Sequence, residues 1–491
     1  MSHIKCQTAL AAFAVVCGAA PIGCMRLPAT APAVTKKLIA KEDSWIEGSL
    51  IASPDSLHIA CLRQDAEKQA AVVDGKQGGS YDEIDKDTLC FSPDSHRTAY
   101  AARNGDKWLI VVDGEESGSY DSIEDVRFSP DSRRVAYAVI SVQERQHRAY
   151  EGREQVQVAR GRRFVVFDGK EGKSFSSWTG NLVFSPDSLR LAYWAASDGG
   201  DKWFAVIDDH QSRPYGDCGS RISFSPDGRR VGYTAPFGRK WVAVVDGRQN
   251  GPYDALQFEI LFSPDSRRVA YVAAKGKKWA AVIDGEWGPL FDDIGRVSIS
   301  VSANSRRVGY VAEAGDKWFA VIDGQRSKPY EGFSGYDAIS FSPDNRHVAY
   351  TVKSSGKEVL VMDGIGGKPY DEVYQETLRF SPDSQRFAYV AKSAGRLFAV
   401  IDGKEGRAYE AISNYSLGFS PDGQHLVYIA LRPTDSSSVD DAKCVVVVDE
   451  VETEPFDDVV GVPTKIMFDT ADTLHYLIEK DSCIYIVSQT L

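Results

Sequence analysis

The tetrapeptide Phe-Ser-Pro-Asp recurs along this chain, with its Phe at positions 91, 128, 184, 224, 262, 341, 380 and 419. Degenerate copies begin at Ala52 (Ala-Ser-Pro-Asp), Val301 (Val-Ser-Ala-Asn) and Phe468 (Phe-Asp-Thr-Ala-Asp), which brings the count to eleven. Successive copies lie 39, 37, 56, 40, 38, 39, 40, 39, 39 and 49 residues apart. A period of 39 residues with two insertions means that one supersecondary unit is stacked again and again. Each unit buries its apolar face against the next rather than in one irregular core.

Unit 6 shows what the unit is. Leu261-Phe262 ends one apolar run, and Ser263-Pro264-Asp265-Ser266 turns the chain, because Pro presets the turn dihedral and Asp and Ser bond back to nearby backbone. Val269–Ala273 and Trp279–Ile283 are runs of strand formers, joined by a turn at Gly276-Lys277-Lys278. Asp284-Gly285 is a tight hairpin signal, and a short fourth strand is expected near Phe291-Asp292-Asp293-Ile294. The two central runs are almost continuously apolar, as in sheets covered on both faces. Four antiparallel strands in about 40 residues, repeated, describe a β-propeller. The expectation is therefore an all-β chain of about eleven four-stranded blades. Propellers typically hold four to eight blades, so eleven units form either two tandem rings or one unusually large ring.

The Phe-Ser-Pro-Asp-Ser/Gly-x-Arg element resembles the WD-repeat-like propeller repeat of TolB-type periplasmic proteins, a repeat also found in propeller domains of prolyl-oligopeptidase-like enzymes. The resemblance covers residues 45–491. It implies a propeller whose first strands line a channel. The turns between strands one and two and between three and four lie on one face, and the loops two–three and four–one on the other, binding face. The chain has neither the α/β domain that accompanies the TolB propeller nor a hydrolase domain, and no Gly-x-Ser-x-Gly nucleophile elbow occurs. The resemblance therefore implies a fold and not an activity.

The first residues read as an export address. Lys5 precedes an apolar run from Ala9 to Gly23, too short to span a bilayer. Gly23-Cys24 resembles the end of a bacterial lipobox, which makes Cys24 the candidate lipidation site and the one expected link to a membrane. Ordinary cleavage near Ala20, Ala31 or Ala33 is the alternative. The organisation expected is a signal peptide at 1–24, a flexible Pro/Ala/Lys-rich tether at 25–44 and repeats at 45–491. Residues Ser44-Trp45-Ile46-Glu47 look like the fourth strand that the last unit lacks, so the termini are expected to close a ring. The protein is placed in the periplasm or at the envelope.

Composition narrows the functions. Fifty-seven Lys and Arg against 69 Asp and Glu give a net charge of −12, which opposes nucleic-acid binding through a basic surface. Beyond Cys24 there are five scattered cysteines (61, 90, 218, 444 and 483) with no Cys-x-x-Cys, so no metal site and no cofactor is expected. The eight histidines do not cluster, and no nucleophilic triad can be assembled from spacing. Residues present in every blade, such as Asp131, Asp187, Asp246 and Asp323, are expected to fix turns. The Tyr/Phe-Asp/Glu pairs, the Lys-Trp pairs and Arg pairs such as Arg133-Arg134 and Arg267-Arg268 are read as packing and solvated edge charge.

What breaks the repeat points to function. Unit 3 carries an extra segment within Ser141–Arg163 holding six Arg and three Glu, a local charge of +3 on an acidic protein. Arg145, His147, Arg148, Tyr150 and Arg153 are the candidate binding residues. The insertion near Pro433–Lys443 in unit 10 is Ser/Asp-rich and reads as a loop. The favoured function is an exported, non-catalytic propeller scaffold that binds a protein or cell-wall ligand. The alternative is a propeller hydrolase or lyase acting on polysaccharide or peptide in the channel, for which Asp85, Asp87, Glu124 and Asp125 are the acids to examine. A purely structural envelope component is the third reading.

Overall fold

The computed structural model describes residues 34–41, 45–142, 146–150, 153–157, 161–177, 179–257, 259–295, 299–334, 339–432, 442–460 and 465–491. Eleven blade sheets, each of four antiparallel positions, follow one another in chain order. Blade 1 begins at Ile51–Ala52, and blade 11 is built on Thr473–Lys480 and Cys483–Thr490. The one helical turn among the described residues is Asp198–Gly200.

The second and third strands of each blade are buried, as the apolar runs predict. In blade 6, Val269–Lys275 pairs with Lys278–Ile283, and Tyr271 stands opposite Val282. Their side chains do not form one core. They form a chain of clusters, each made from two neighbouring blades, as where Val427 and Ile429 of blade 10 meet Leu474 and Tyr476 of blade 11. One such cluster joins Leu477 and Ile484 of blade 11 to Ile59 of blade 1. The ring therefore closes on itself after eleven blades, which settles the count left open by the sequence: one large ring rather than two.

Closure uses a different segment from the one expected. The outer strand of blade 11 is Val34–Lys41, running antiparallel to Cys483–Thr490 from Val34 opposite Gln489 to Lys41 opposite Cys483. Part of the stretch read as a tether is thus structural, and Trp45 instead bridges to Arg63 inside blade 1. The physical reason is that outer strands are sheet edges and mostly exposed. Lys76–Tyr81 of blade 1, for example, buries only its last residue, so a Lys-rich segment suits the place. Likewise the outer strand of blade 6 is Glu286–Trp287, with Phe291 bridged to Trp279, while Asp293–Ile294 already starts blade 7. A further tie crosses the seam: the two ring nitrogens of His475 lie 2.8 Å from Asp469 Oδ1 and 2.7 Å from the backbone oxygen of Asp55.

Candidate functional site

One face of the ring is built from the Ser-Pro-Asp and Asp-Gly turns, and its polar groups hold the blades together. In blade 6, Ser263 Oγ donates to Asp265 Oδ1 at 2.6 Å, and the Arg268 N–H donates to Ser263 Oγ at 2.9 Å. The Asp265 N–H reaches across to Ser305 Oγ of blade 7 at 2.9 Å. The serine hydroxyl and backbone donors hold Asp265 below the usual carboxylate range, and the same causes act on Asp94, Asp227 and Asp344. Ser266 and Asp284 adopt positive φ (63° and 53°), which short polar side chains tolerate. In blade 4 the Gly after the turn Asp is replaced by Asp209 at φ 62°, a conformation Gly adopts without strain.

Arg230, the second arginine of its pair, corrects the expectation of a solvated charge. Arg230 donates through Nε to Asp246 Oδ2 at 2.9 Å and through Nη1 to the Arg267 carbonyl of blade 6 at 2.9 Å. Its guanidinium lies 5.4 Å from the Phe262 ring centroid in that next blade. Arg97, Arg190, Arg307 and Arg386 repeat the arrangement. The first arginine of the pair, such as Arg229 or Arg267, is exposed as expected. His58, His347 and His425 take the latching position in blades 1, 8 and 10, each with its Nδ1 within 2.7 Å of the turn Asp. That explains their dispersal in sequence.

On the opposite face the repeated acids are also committed. Asp254 pairs with Lys240 and accepts the Gly276 N–H at 2.6 Å through its other oxygen. Asp292 with Lys278 and Asp371 with Lys357 do the same. The Lys-Trp and Tyr-Asp signatures are therefore two halves of one ion pair, whose lysine and backbone donors hold the carboxyls low. The same pairing holds Asp82 to Lys68, Asp121 to Lys107 and Asp457 to Lys443, whereas Glu331 of blade 7 accepts the Ser355 N–H.

The symmetry-breaking segment of blade 3 is a separate two-stranded sheet. Gln146–Tyr150 pairs with Arg153–Gln157, with Tyr150 opposite Arg153, Arg148 opposite Gln155 and His147 opposite Val156. The backbone thus brings four of the five candidate residues onto one hairpin; Arg145 lies outside the described residues. The hairpin leaves the blade between Val142 and Gly161, which stand opposite each other at the end of its second and third strands. That end is also where the blade's first strand begins, Ser122 opposite Ile140, so the hairpin rises on the two–three and four–one loop face. Cys24, and the unit 10 insertion at 433–441, lie outside the described residues.

Of the acids named for channel chemistry, only Asp85 and Asp87 meet among the described residues, the Asp87 N–H donating to Asp85 Oδ1 at 3.0 Å within one strand. Asp125 accepts Arg127 Nε at 2.8 Å and the Leu182 N–H of blade 4 at 2.9 Å, so it serves a joint. Glu124 and Asp87 are exposed. Asp85 is half-buried, and burial pushes its carboxyl above the usual range. All five described cysteines are free thiols; burial pushes Cys61 up to about 12 and Cys90 to about 11. Among the described residues no group of three His, Cys, Asp or Glu is arranged to hold a metal, and no helix is long and apolar enough to cross a membrane.

The geometry defines a β-propeller. No family model matches the chain, and no curated protein matches it. Among solved structures, a eukaryotic initiation factor is similar at 13% identity, over 81% of this chain and 96% of that one, with a TM-score of 0.38. TolB from Acinetobacter baumannii is similar at 14% identity, over 55% of this chain and 78% of that one, with a TM-score of 0.25. The Dos1 propeller is similar at 11% identity, over 62% and 90%, with a TM-score of 0.32.

Proposed function

We propose that this protein is an exported, non-catalytic propeller scaffold that binds a protein or cell-wall ligand in the cell envelope, with the blade 3 hairpin as its contact. One observation carries the reading. The residues repeated from blade to blade hold the ring together, whereas among the described residues the two hairpin strands pair only with each other and belong to no blade sheet. A basic segment standing on the loop face of an acidic ring is suited to an acidic partner, which opposite charge steers and orients. Export rests on the apolar start of the chain, and anchoring on Cys24.

The test is crosslinking and affinity capture in the native envelope, with the intact chain and with a version lacking residues 143–160. A partner held only by the intact chain supports the reading. Identical capture by both refutes the role of the hairpin. The competing enzymatic reading draws on Asp85, whose raised carboxyl suits a general acid. It requires turnover of a polysaccharide or peptide that Asp85→Asn abolishes.

A further inference from the structure

Ten joints of the ring are built alike. An aromatic ring beside the outer strand of one blade meets the central tyrosine of the second strand of the next. Tyr81 meets Tyr100, Tyr253 meets Tyr271 and Tyr409 meets Tyr428, with centroids 6.2, 5.9 and 6.1 Å apart. The pattern runs on to Phe456 with Tyr476, 6.4 Å apart, between blades 10 and 11. Each second-strand tyrosine stands opposite a valine of the third strand, as Tyr100 opposite Val111 and Tyr476 opposite Val487.

At the eleventh joint, between blade 11 and blade 1, both rings are missing. Cys61 occupies the tyrosine position, opposite Val72. Residues 34–44, which lead through the outer strand towards blade 1, contain no aromatic. In their place is an open cavity of about 200 Å³ whose lining includes Ala40, Lys41, Trp45, Ile59, Cys61 and Val72.

We propose that this seam cavity is a binding site for a small molecule carrying one aromatic ring. The volume suits such a ligand, since an apolar cavity of about 150 Å³ accepts benzene. The walls suit it too. Ile59 and Cys61 are buried, and the half-buried Trp45 offers an aromatic surface for stacked or edge-on contact. The fold itself shows the fit, because a ring fills the equivalent space at every other joint. A bound ring restores the contacts that the paired rings make at the other joints. Lys41 among the lining residues favours an anionic substituent on the ring. The Cys61 thiol stays protonated, so it is a wall and not a nucleophile. The site is independent of the blade 3 hairpin.

The experiment titrates the full chain with phenol, indole and phenylacetate, with glucose as the control, by ligand-observed NMR and calorimetry. Cys61→Tyr supplies the ring found in the other ten blades, and Val72→Phe fills the cavity from the opposite strand. The expected result is one-to-one binding of a ring probe, phenylacetate tightest, weakened at least tenfold in either folded variant, with Cys61→Tyr melting above the parent when no probe is present. Slowed amide hydrogen exchange at Ile59–Asp65 in the presence of the probe, read by mass spectrometry, gives a result that does not depend on the variants folding. Absence of binding by all three aromatic probes at millimolar concentration overturns the proposal. So does binding that leaves exchange at Ile59–Asp65 unchanged or that both folded variants retain in full.

Discussion

Replacing Arg230 with Ala tests whether the second arginine of each pair fastens neighbouring blades. Arg230 is 29% and its partner Asp246 40% exposed, so solvent screens their ion pair and reduces it to about 0.5 kcal/mol. The Nη1 bond to the Arg267 carbonyl adds about 1 kcal/mol, and the contact with the Phe262 ring about 0.5 kcal/mol. The joint between blades 5 and 6 should therefore weaken by about 2 kcal/mol. At about 1.4 kcal/mol per tenfold, that is roughly 30-fold in local opening. Hydrogen exchange reads it at the Asp227 amide, which donates to Ser266 Oγ across this joint. The Asp265 amide reports the next joint and should be little changed, because stability in a stacked array is carried between neighbours. Arg229→Ala is the control, since that side chain is exposed and its change should stay within about 0.5 kcal/mol. Equal effects from Arg229→Ala and Arg230→Ala, or no effect from either, would refute the reasoning.

Three further outcomes are expected. Carboxyls such as Asp131, Asp265 and Asp422, held low by serine hydroxyls and backbone N–H groups, contribute stability that is present above about pH 4 and is lost as pH falls below it. A melting temperature that stays flat from pH 6 to pH 2.5 would contradict this. Asp209→Gly relieves a positive φ and should stabilise blade 4 by about 0.5–1 kcal/mol, checked by thermal melting; a loss of stability would count against the strain. Deleting residues 143–160 should leave thermal stability within about 0.5 kcal/mol of the parent, because the hairpin pairs with no blade strand. A large loss would mean that the hairpin braces the ring.

The parts legible in the sequence are those where the local pattern and the fold impose the same demand. Buried central strands such as Val269–Lys275 read as apolar runs, and the Ser-Pro-Asp and Asp-Gly turns carry their own chemistry. Outer strands are less legible, because an exposed edge tolerates Lys and Gly: Val34–Lys41 reads as a tether, and its strand character depends on pairing with the distant Cys483–Thr490. The roles of Arg230 and Asp254 depend on groups up to 37 residues away, across a joint or a blade, so neither follows from local spacing. The seam cavity was legible only in part. Cys61 breaks the tyrosine pattern in the sequence, but that its partner ring is also missing follows from closure. The hairpin was visible as an insertion and a charge excess, and its separation from the blades is what the structure adds.

The most direct test of this account is electron microscopy of the purified chain viewed along the ring axis. Class averages should show one closed ring of eleven spokes, with the hairpin marking a single blade. Two smaller rings joined in tandem, or an open arc with a gap between the first and last blades, would contradict closure by Val34–Lys41 and with it the seam cavity.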